Sequence, residues 1–400
     1  MRVTNASTYR NFTSSVNNVH LALNKSMNKI SSGEAYENAA QAPSSYYEGK
    51  KIDNQYQDTI TKANLIKDVR NRVYQQELGA RTIQGILSNT GGAKTQVEFA
   101  RTDTTSPTAL QTTMEDLMQK SQEIVDALNT QYEDFYVYGG NDYSTPPFSL
   151  ETNLDTNETL LTYSHKFPGE SEATKIVFKM TANTDGNGDP DGSYGFTIDQ
   201  DKTVPATAKG KEMELLKKAM SEQGRMDIGY GTISHRDTLI DTFNGGLNML
   251  TGITSDSAKN LDTTDTATET DFLTALNQSA LGLVAQSVHV INDYIHPKDG
   301  ATPDRNVMSD QLGTILTEMT GAEQKLSTVY ADLGNKYRLL ETTENKLNTT
   351  ADSLKTQYKE KLGVDPYEAI MEMYNNNYAY NAALKVGSQL MSSSLFDFVR

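Results

Sequence analysis

The strongest constraint on the fold is a seven-residue repeat of large apolar residues in the last third of the chain. It runs without interruption through Leu312, Met319, Leu326, Leu333, Leu340, Leu347 and Leu354. No proline falls between Asn306 and Leu362. Apolar residues at this spacing line one side of an α-helix, and at ~1.5 Å per residue such a helix would be roughly 80 Å long. The repeat predicts one long helix that must pack against partner helices.

A second apolar row beside this repeat indicates where the partner helices lie. It begins with Ile315, Ala322 and Val329 and then moves to Tyr330 and Tyr337. A straight α-helix slips by ~20° per heptad, which explains the drift. Short, drifting rows of this kind are typical of an antiparallel bundle that is closed within one chain.

Helical spacing of apolar residues continues at both ends of the chain. It predicts further helices over residues 12–30, 52–88, 107–132, 271–295 and 370–391. Gly33 suits the position after the first of them, and Pro107 suits the first turn of the third. We therefore expect a mainly α fold, with a long antiparallel helical bundle formed by the N- and C-terminal segments.

The middle of the chain, residues 141–270, has a different character. Short alternating runs at 175–180 and 194–198 are separated by turn residues, which predicts a β-rich insert. A helix is predicted at 209–220 and a Thr/Asp-rich loop at 254–270. The insert is also the acidic part of a chain with a net charge of -16, which favours a solvent-facing α+β domain.

These patterns divide the chain into three predicted domains. Residues 1–42 and 364–400 would be terminal assembly helices. Residues 43–140 and 271–363 would form the helical bundle, and residues 141–270 the outer domain. The two terminal helices are marginal as isolated helices in water, so we expect them to be completed by assembly.

The residues that usually carry catalysis are missing or scattered. The chain has no cysteine, its five histidines are far apart, and no nucleotide-binding, hydrolase or zinc-protease motif occurs. We therefore expect no enzymatic activity, no cofactor and no metal. The acidic charge argues against a nucleic acid as partner, and no apolar run is long enough for a membrane helix.

One loop, residues 183–192, resembles part of a calcium-binding loop. Asn187, Asp189, Asp191 and Gly192 occupy its first, third, fifth and sixth places. The twelfth place is Ile198, where a bidentate glutamate is needed. A turn between two strands explains the composition as well, so calcium stays only an alternative.

Motifs at both ends resemble those of the flagellin superfamily, and within it the hook-associated protein 3 family of hook–filament junction proteins. Residues 30–33 (Ile-Ser-Ser-Gly) resemble the end of the first flagellin helix, and 136–140 (Tyr-Val-Tyr-Gly-Gly) a signature before the variable domain. Residues 331–341 and 382–398 resemble the family's Ala-Glu-Leu-Gly stretch and C-terminal helix. The resemblance spans residues 1–140 and 271–400; its usual Asp-Asp-Pro turn after Ser-Ser-Gly is absent here.

The resemblance implies a structural subunit of the bacterial flagellum, placed in a ring between hook and filament. The implied partners are other copies of the chain, a hook-side junction protein, flagellin or the filament cap, and an export chaperone on the C-terminal helix. It implies an extracellular location reached by the flagellar type III apparatus. The N-terminal segment lacks the apolar region of a cleaved signal peptide, which agrees with that expectation.

The apolar stripes of the two terminal helices are the predicted assembly contacts, and the sequence leaves open whether they also pack within one chain. They are Phe12, Val16, Val19, Leu23, Ile370, Met373, Leu384, Leu395 and Phe396. Two other functions stay open. One is flagellin itself, the filament subunit. The other is a secreted adhesin or enzyme on a helical stalk, which would need ligand binding or activity in residues 141–270.

Overall fold

A computed structural model gives the fold. It describes residues 2–88, 91–184, 190–222, 225–227, 239–241, 245–297 and 303–396. The chain divides into two compact units, which we call the terminal unit (residues 1–65 and 344–400) and the central unit (residues 66–343). The prediction of a mainly α fold with a β-containing insert is confirmed.

The helices begin and end as follows: α1 (Arg2–Ser32), α2 (Pro43–Ser88), α3 (Ala93–Arg101), α4 (Pro107–Leu128), α5 (Glu212–Ser221), α6 (Gly246–Thr251), α7 (Ser255–Lys259), α8 (Thr266–Asn277), α9 (Ala280–Ile295), α10 (Arg305–Leu362) and α11 (Pro366–Phe396). The strands are β1 (Gln131–Tyr132), β2 (Phe135–Tyr136), β3 (Phe148–Asn153), β4 (Glu158–His165), β5 (Thr174–Thr184), β6 (Pro190–Val204), β7 (Arg225–Asp227) and β8 (Leu239–Asp241).

The long helix predicted from the heptad repeat is α10, and it starts and stops within one residue of the prediction. The repeat positions from Leu312 to Leu347 are buried, and Leu354 is half-buried. Within the central unit α10 runs antiparallel to α2 and α3. Tyr74 meets Tyr337 with ring centroids 5.7 Å apart, and Lys94 pairs with Glu323 at 3.0 Å. The expected antiparallel bundle within one chain is therefore present.

The Tyr-Val-Tyr-Gly-Gly segment closes the loop that follows β2. The Tyr138 side chain is fully buried and its hydroxyl donates to the Gln76 carbonyl oxygen at 2.5 Å. Gly79 is required beside it, because a Cβ there would lie 2.6 Å from the Tyr138 hydroxyl. Gly140 has a positive φ of 68°, a conformation that glycine adopts at no steric cost. The motif thus holds the segment that follows the β1–β2 pair against α2.

The insert contains a four-stranded antiparallel sheet in the order β3-β4-β5-β6. Strand β4 alternates between half-buried and buried residues, as expected for a strand with one face on a core. The buried face packs on helices α8 and α9 of the same unit, where the Phe178 and Phe272 ring centroids are 6.0 Å apart. Asn277 holds the edge of β6, accepting from the Phe196 backbone N–H at 2.6 Å.

A buried polar network joins the β3–β4 turn to α9. Asn157 lies at its centre, with a φ of 49°, and its Nδ2 donates to the Tyr194 hydroxyl and to Asp293 Oδ1, both at 2.8 Å. Its Oδ1 lies 2.6 Å from His289 Nδ1 and accepts from Asn292 Nδ2 at 3.0 Å. His289 is fully buried, and its Nε2 lies 2.9 Å from the Thr159 hydroxyl. Buried polar groups that are mutually satisfied in this way specify one arrangement of sheet and helix.

Some element boundaries differ from the predictions. The helix predicted over 271–295 is two helices, α8 and α9, because the Ser279 hydroxyl caps Gly282 N and starts a new helix. The predicted loop at 254–270 contains α7 and the start of α8. Helix α4 ends at Leu128 rather than at 132, and α3 was not predicted. The loop at 183–192, for which calcium was an alternative, falls largely on residues 185–189, which lie outside the described residues.

The buried His165 side chain makes the central unit sensitive to pH. Burial lowers its pKa from 6.5; Lys218 adds to this lowering, while Asp142 and Glu170 oppose it. Below about pH 6.5 His165 therefore binds a proton more readily in the unfolded chain than in the folded chain. The contribution of neutral His165 to the free energy of unfolding is complete above about pH 6.5 and is lost as the pH falls below that value.

We expect the denaturation midpoint of the wild type to fall more between about pH 7.5 and about pH 5.5 than that of His165→Gln, which has no group to titrate there. Urea unfolding followed by circular dichroism at both pH values measures this. The same pH dependence in both proteins would contradict the role of His165.

Candidate assembly surface on the terminal helices

Helices α1 and α11 of the terminal unit pack against each other in an antiparallel pair. Phe12 near the start of α1 lies against Gly387 near the end of α11, where a Cβ would overlap the Phe12 ring. Further along, the His20 and Tyr380 rings are 5.3 Å apart, and Lys29 pairs with Glu372 at 2.9 Å. We call this contact the α1–α11 seam.

The α1–α11 seam contains small and polar residues as well as apolar ones. Its α1 side consists of Phe12, Val16, Val19, Leu23 and Ser26. Its α11 side consists of Ala369, Met373, Asn376, Tyr380, Ala383 and Gly387. Small residues let the two backbones approach closely, which explains why a helix pair of modest hydrophobicity can bury Leu23.

One polar contact lies inside the seam. Ser26 is fully buried, and its hydroxyl accepts a hydrogen bond from Asn376 Nδ2 at 2.6 Å. The Ser26 hydroxyl in turn donates to the Ala22 carbonyl oxygen at 2.8 Å. Sliding one helix along the other would leave these groups without partners, so the pair specifies the register of the seam.

Backbone pairing fixes the seam at the end where α1 stops. Gly33 has a φ of 69°, and its carbonyl oxygen accepts from Val364 N at 3.1 Å. Ala35 N donates to the Leu362 carbonyl oxygen at 2.7 Å. The Tyr358 hydroxyl donates to Glu34 Oε1 at 2.5 Å, and burial together with this carboxylate raises the pKa of Tyr358. The segment after the Ser-Ser-Gly motif therefore pairs with the end of α10 and the turn that leads into α11.

The predicted assembly residues fall into three groups. Phe12, Val16, Val19, Leu23 and Met373 lie in the α1–α11 seam of one chain. Ile370 and Leu384 are exposed, at 40% and 45% of their surface. Leu395 and Phe396 lie in α11, but their side chains are outside the part of the chain that the structure describes. On α11 the seam shares Met373 with the predicted stripe, while Ala369 and Ala383 occupy it next to the exposed Ile370 and Leu384.

A second stripe on α11 was missed from the sequence. Tyr367, Met371, Tyr374 and Tyr378 follow one another at steps of four, three and four residues, so they lie on one line of the helix. At ~100° per residue this line is roughly 180° from the seam. All four side chains are exposed. We call them the α11 outer stripe; their spacing was the signal that could have revealed it.

The opposite face of α1 is polar and basic. Arg10, Ser14, Asn17, Leu21 and Lys25 are exposed and lie on the line of α1 that faces away from the seam. Residues 1–33 contain four basic side chains and no acidic one. We call these five residues the α1 outer stripe.

The described residues offer little that could support chemistry. Among them no group of three or more His, Cys, Asp or Glu side chains is arranged to hold a metal ion. None of the helices in the described ranges is both long and apolar enough to span a membrane. The candidate functional features of the terminal unit are therefore the outer stripes of α1 and α11, which are suited to packing against other helices.

Comparison with known proteins relates this region to flagellins. Residues 316–399, which include most of α10 and all of α11, match the family model described as the bacterial flagellin C-terminal helical region. A search of curated proteins gave no match.

Among solved structures, the chain is similar to a flagellar hook-associated protein from Vibrio parahaemolyticus, with 8% identity and a TM-score of 0.45 over 81% of this chain and 100% of that one. It is similar to FlgL from Xanthomonas campestris, with 11% identity and a TM-score of 0.39 over 78% and 99%. It is also similar to flagellar hook-associated protein 3 from Legionella pneumophila, with 10% identity and a TM-score of 0.42 over 78% and 98%. The family match confirms, for residues 316–399, the flagellin resemblance that the sequence motifs predict.

Proposed function

We propose that this protein is a structural subunit of the bacterial flagellum that forms the junction between hook and filament. It acts by assembly rather than by catalysis. The observation that carries the proposal is the match of residues 316–399 to the flagellin C-terminal helical region, because that region contains most of α10 and all of α11, one half of the terminal helix pair.

The geometry of the terminal helices supports assembly. The α1–α11 seam covers one face of each helix, and the other faces carry exposed apolar side chains such as Tyr378 and Leu384. Contiguous exposed apolar surface is a liability in a monomer and is typical of an interaction site. In the proposed arrangement the terminal helices form an inner tube, the bundle surrounds it, and the insert at 141–270 faces outward.

The proposed partners follow from this position. They are other copies of the chain in a ring, a hook-side junction protein, and flagellin or the filament cap. An export chaperone would cover α11 before assembly, and the assembled protein would lie outside the cell. The proposed assembly contacts include Ile370 and Leu384 on the exposed flank of α11, with Leu395 and Phe396 beyond them.

The first experiment tests assembly directly. We expect the purified full chain to form oligomers as its concentration is raised in ammonium sulfate, which strengthens apolar burial. A chain lacking residues 364–400 should stay monomeric while the central unit keeps its unfolding transition. Sedimentation and electron microscopy provide the measurement. A full chain that stays monomeric throughout, or a truncated chain that assembles equally well, would contradict the proposal.

Flagellin itself is a second candidate, favoured by the description of the matching family model. Deleting the gene separates the two functions. Loss of a junction protein should leave hooks without filaments and release filament protein into the medium. If the deletion strain instead grows filaments on its hooks, the junction assignment is wrong and the chain is a filament subunit.

A further inference from the structure

The α11 outer stripe is an aromatic surface that is exposed in the terminal unit. Tyr367, Tyr374 and Tyr378 are exposed over 76%, 63% and 79% of their surface, and Met371 over 45%. The four residues form one line on the face of α11 that points away from α1. Tyrosine on an exposed helix line supplies a large apolar area at a small cost in side-chain entropy, which is why it is enriched at interfaces.

Nothing within the α1–α11 pair can cover this stripe, because α1 packs on the opposite side of α11. The residues in line with it, from 367 to 378, carry no charge, and Glu368 lies on its flank. Electron-rich ring faces beside a carboxylate attract cations such as the side chains of arginine and lysine.

The same chain carries a surface of the matching chemistry. The α1 outer stripe places Arg10 and Lys25 at its ends and Leu21 between them, all exposed. Ser14 and Asn17 are small enough to let a second helix approach. The α1 outer stripe, roughly 22 Å long from 10 to 25, is about one turn longer than the α11 outer stripe, roughly 17 Å long from 367 to 378, so its two end cations lie at or just beyond the outermost rings.

We propose that the α11 outer stripe of one copy packs against the α1 outer stripe of a second copy. This inference rests on the proposed function, since it names the partner surface used in assembly. Leu21 inserts among the tyrosine rings, and the two cations lie over ring faces at either end. Each copy offers one stripe of each kind, so the contact is heterologous and generates a ring or a helical tube.

The absence of cysteine from the chain permits a direct test. Two full-length variants, Leu21→Cys and Tyr374→Cys, are each treated with a short bismaleimide, alone and as a mixture, under the conditions in which the wild type assembles. We expect a cross-linked dimer in the mixture and little in either variant alone. A control mixture of Leu21→Cys with Thr349→Cys, an exposed position on α10, should give only the background level.

The outcomes separate the contact from the proposed function. If Tyr374→Cys forms cross-linked dimers by itself and no mixed dimers appear, the α11 outer stripes of two copies pack against each other. That result would overturn the proposal. Assembly without any cross-link between the two variants overturns it as well and leaves the proposed function standing. If the wild-type chain does not assemble at all, both the proposed contact and the proposed function are wrong.

A second measurement uses charge rather than cysteine. Arg10→Glu combined with Lys25→Glu should raise the protein concentration needed for assembly at least several-fold, because two carboxylates then face the rings. The helicity of the terminal pair should not change, since both positions are exposed. Unchanged assembly of this double variant contradicts the proposed contact.

Discussion

Replacing Leu23 with aspartate is expected to abolish assembly while the central unit stays folded. Leu23 is buried in the α1–α11 seam, with 8% of its surface exposed. Loss of a buried leucine side chain costs about 2–5 kcal/mol, and burying a carboxylate in its place adds a desolvation penalty. A pair of helices held by one seam has little stability to lose, so we expect α1 and α11 to separate.

Sedimentation and circular dichroism measure the two parts of this expectation. The variant should lose the helicity of the terminal helices and form no oligomers, yet keep the unfolding transition of the central unit. Asn24→Asp is the matched control, because it adds the same charge at an exposed neighbouring position. If Leu23→Asp also destabilises the central unit, the two units do not fold independently. If it assembles like the wild type, the seam is not needed.

Replacing Asn157 with alanine is expected to give the largest loss of stability in the central unit. The substitution removes the hydrogen bonds from Asn157 to Tyr194, Asp293, His289 and Asn292 at once. Tyr194 and Asp293 stay bonded to each other and Asn292 stays bonded to the Leu154 carbonyl oxygen, so only part of the network is lost. A buried polar group that loses its partner costs about 1–3 kcal/mol, so we expect roughly 2–3 kcal/mol in total. Alanine at a positive φ adds about 1 kcal/mol of backbone strain.

A second substitution separates the network from the backbone. Asn157→Gly loses the same hydrogen bonds but tolerates the positive φ of 49°, so it should be more stable than Asn157→Ala by about 1 kcal/mol and still far less stable than the wild type. Urea unfolding followed by tyrosine fluorescence suits this chain, which has 21 tyrosines and no tryptophan. A loss below about 1 kcal/mol in both variants would show that the network contributes little.

The heptad helix was predictable because a single physical signal repeats along its whole length. Helix α10 ends at Leu362, where the pattern ends and Gly363 follows. The strands of the insert were predictable in part, since the runs at 175–180 and 194–198 lie within β5 and β6. Both predictions rest on periodicity, which survives in any context where one face of an element is buried.

The phase of α11 could not be predicted in the same way. The sequence pattern placed Ile370, Met373 and Leu384 on one assembly stripe and left open which of them pack within the chain. In the structure the buried face belongs to small residues such as Ala369 and Gly387, because close approach of two backbones depends on the space available rather than on hydrophobicity. The larger side chains then remain outside, where the proposed function needs them. Periodicity also did not reveal the break between α8 and α9 at Ser279, because the helical spacing of apolar residues continues across it.

The hydrogen bond between Ser26 and Asn376 has a consequence for how the chain closes on itself. The two residues are 350 positions apart, so the second arrives long after the first has been synthesised. An apolar contact alone would tolerate several offsets of the two ends, differing by one helical turn. The Asn376 amide and the Ser26 hydroxyl can form their hydrogen bond in only one offset, so every other offset of α1 and α11 leaves a buried polar group unpaired. The two helices therefore return to the same alignment each time they separate and pair again.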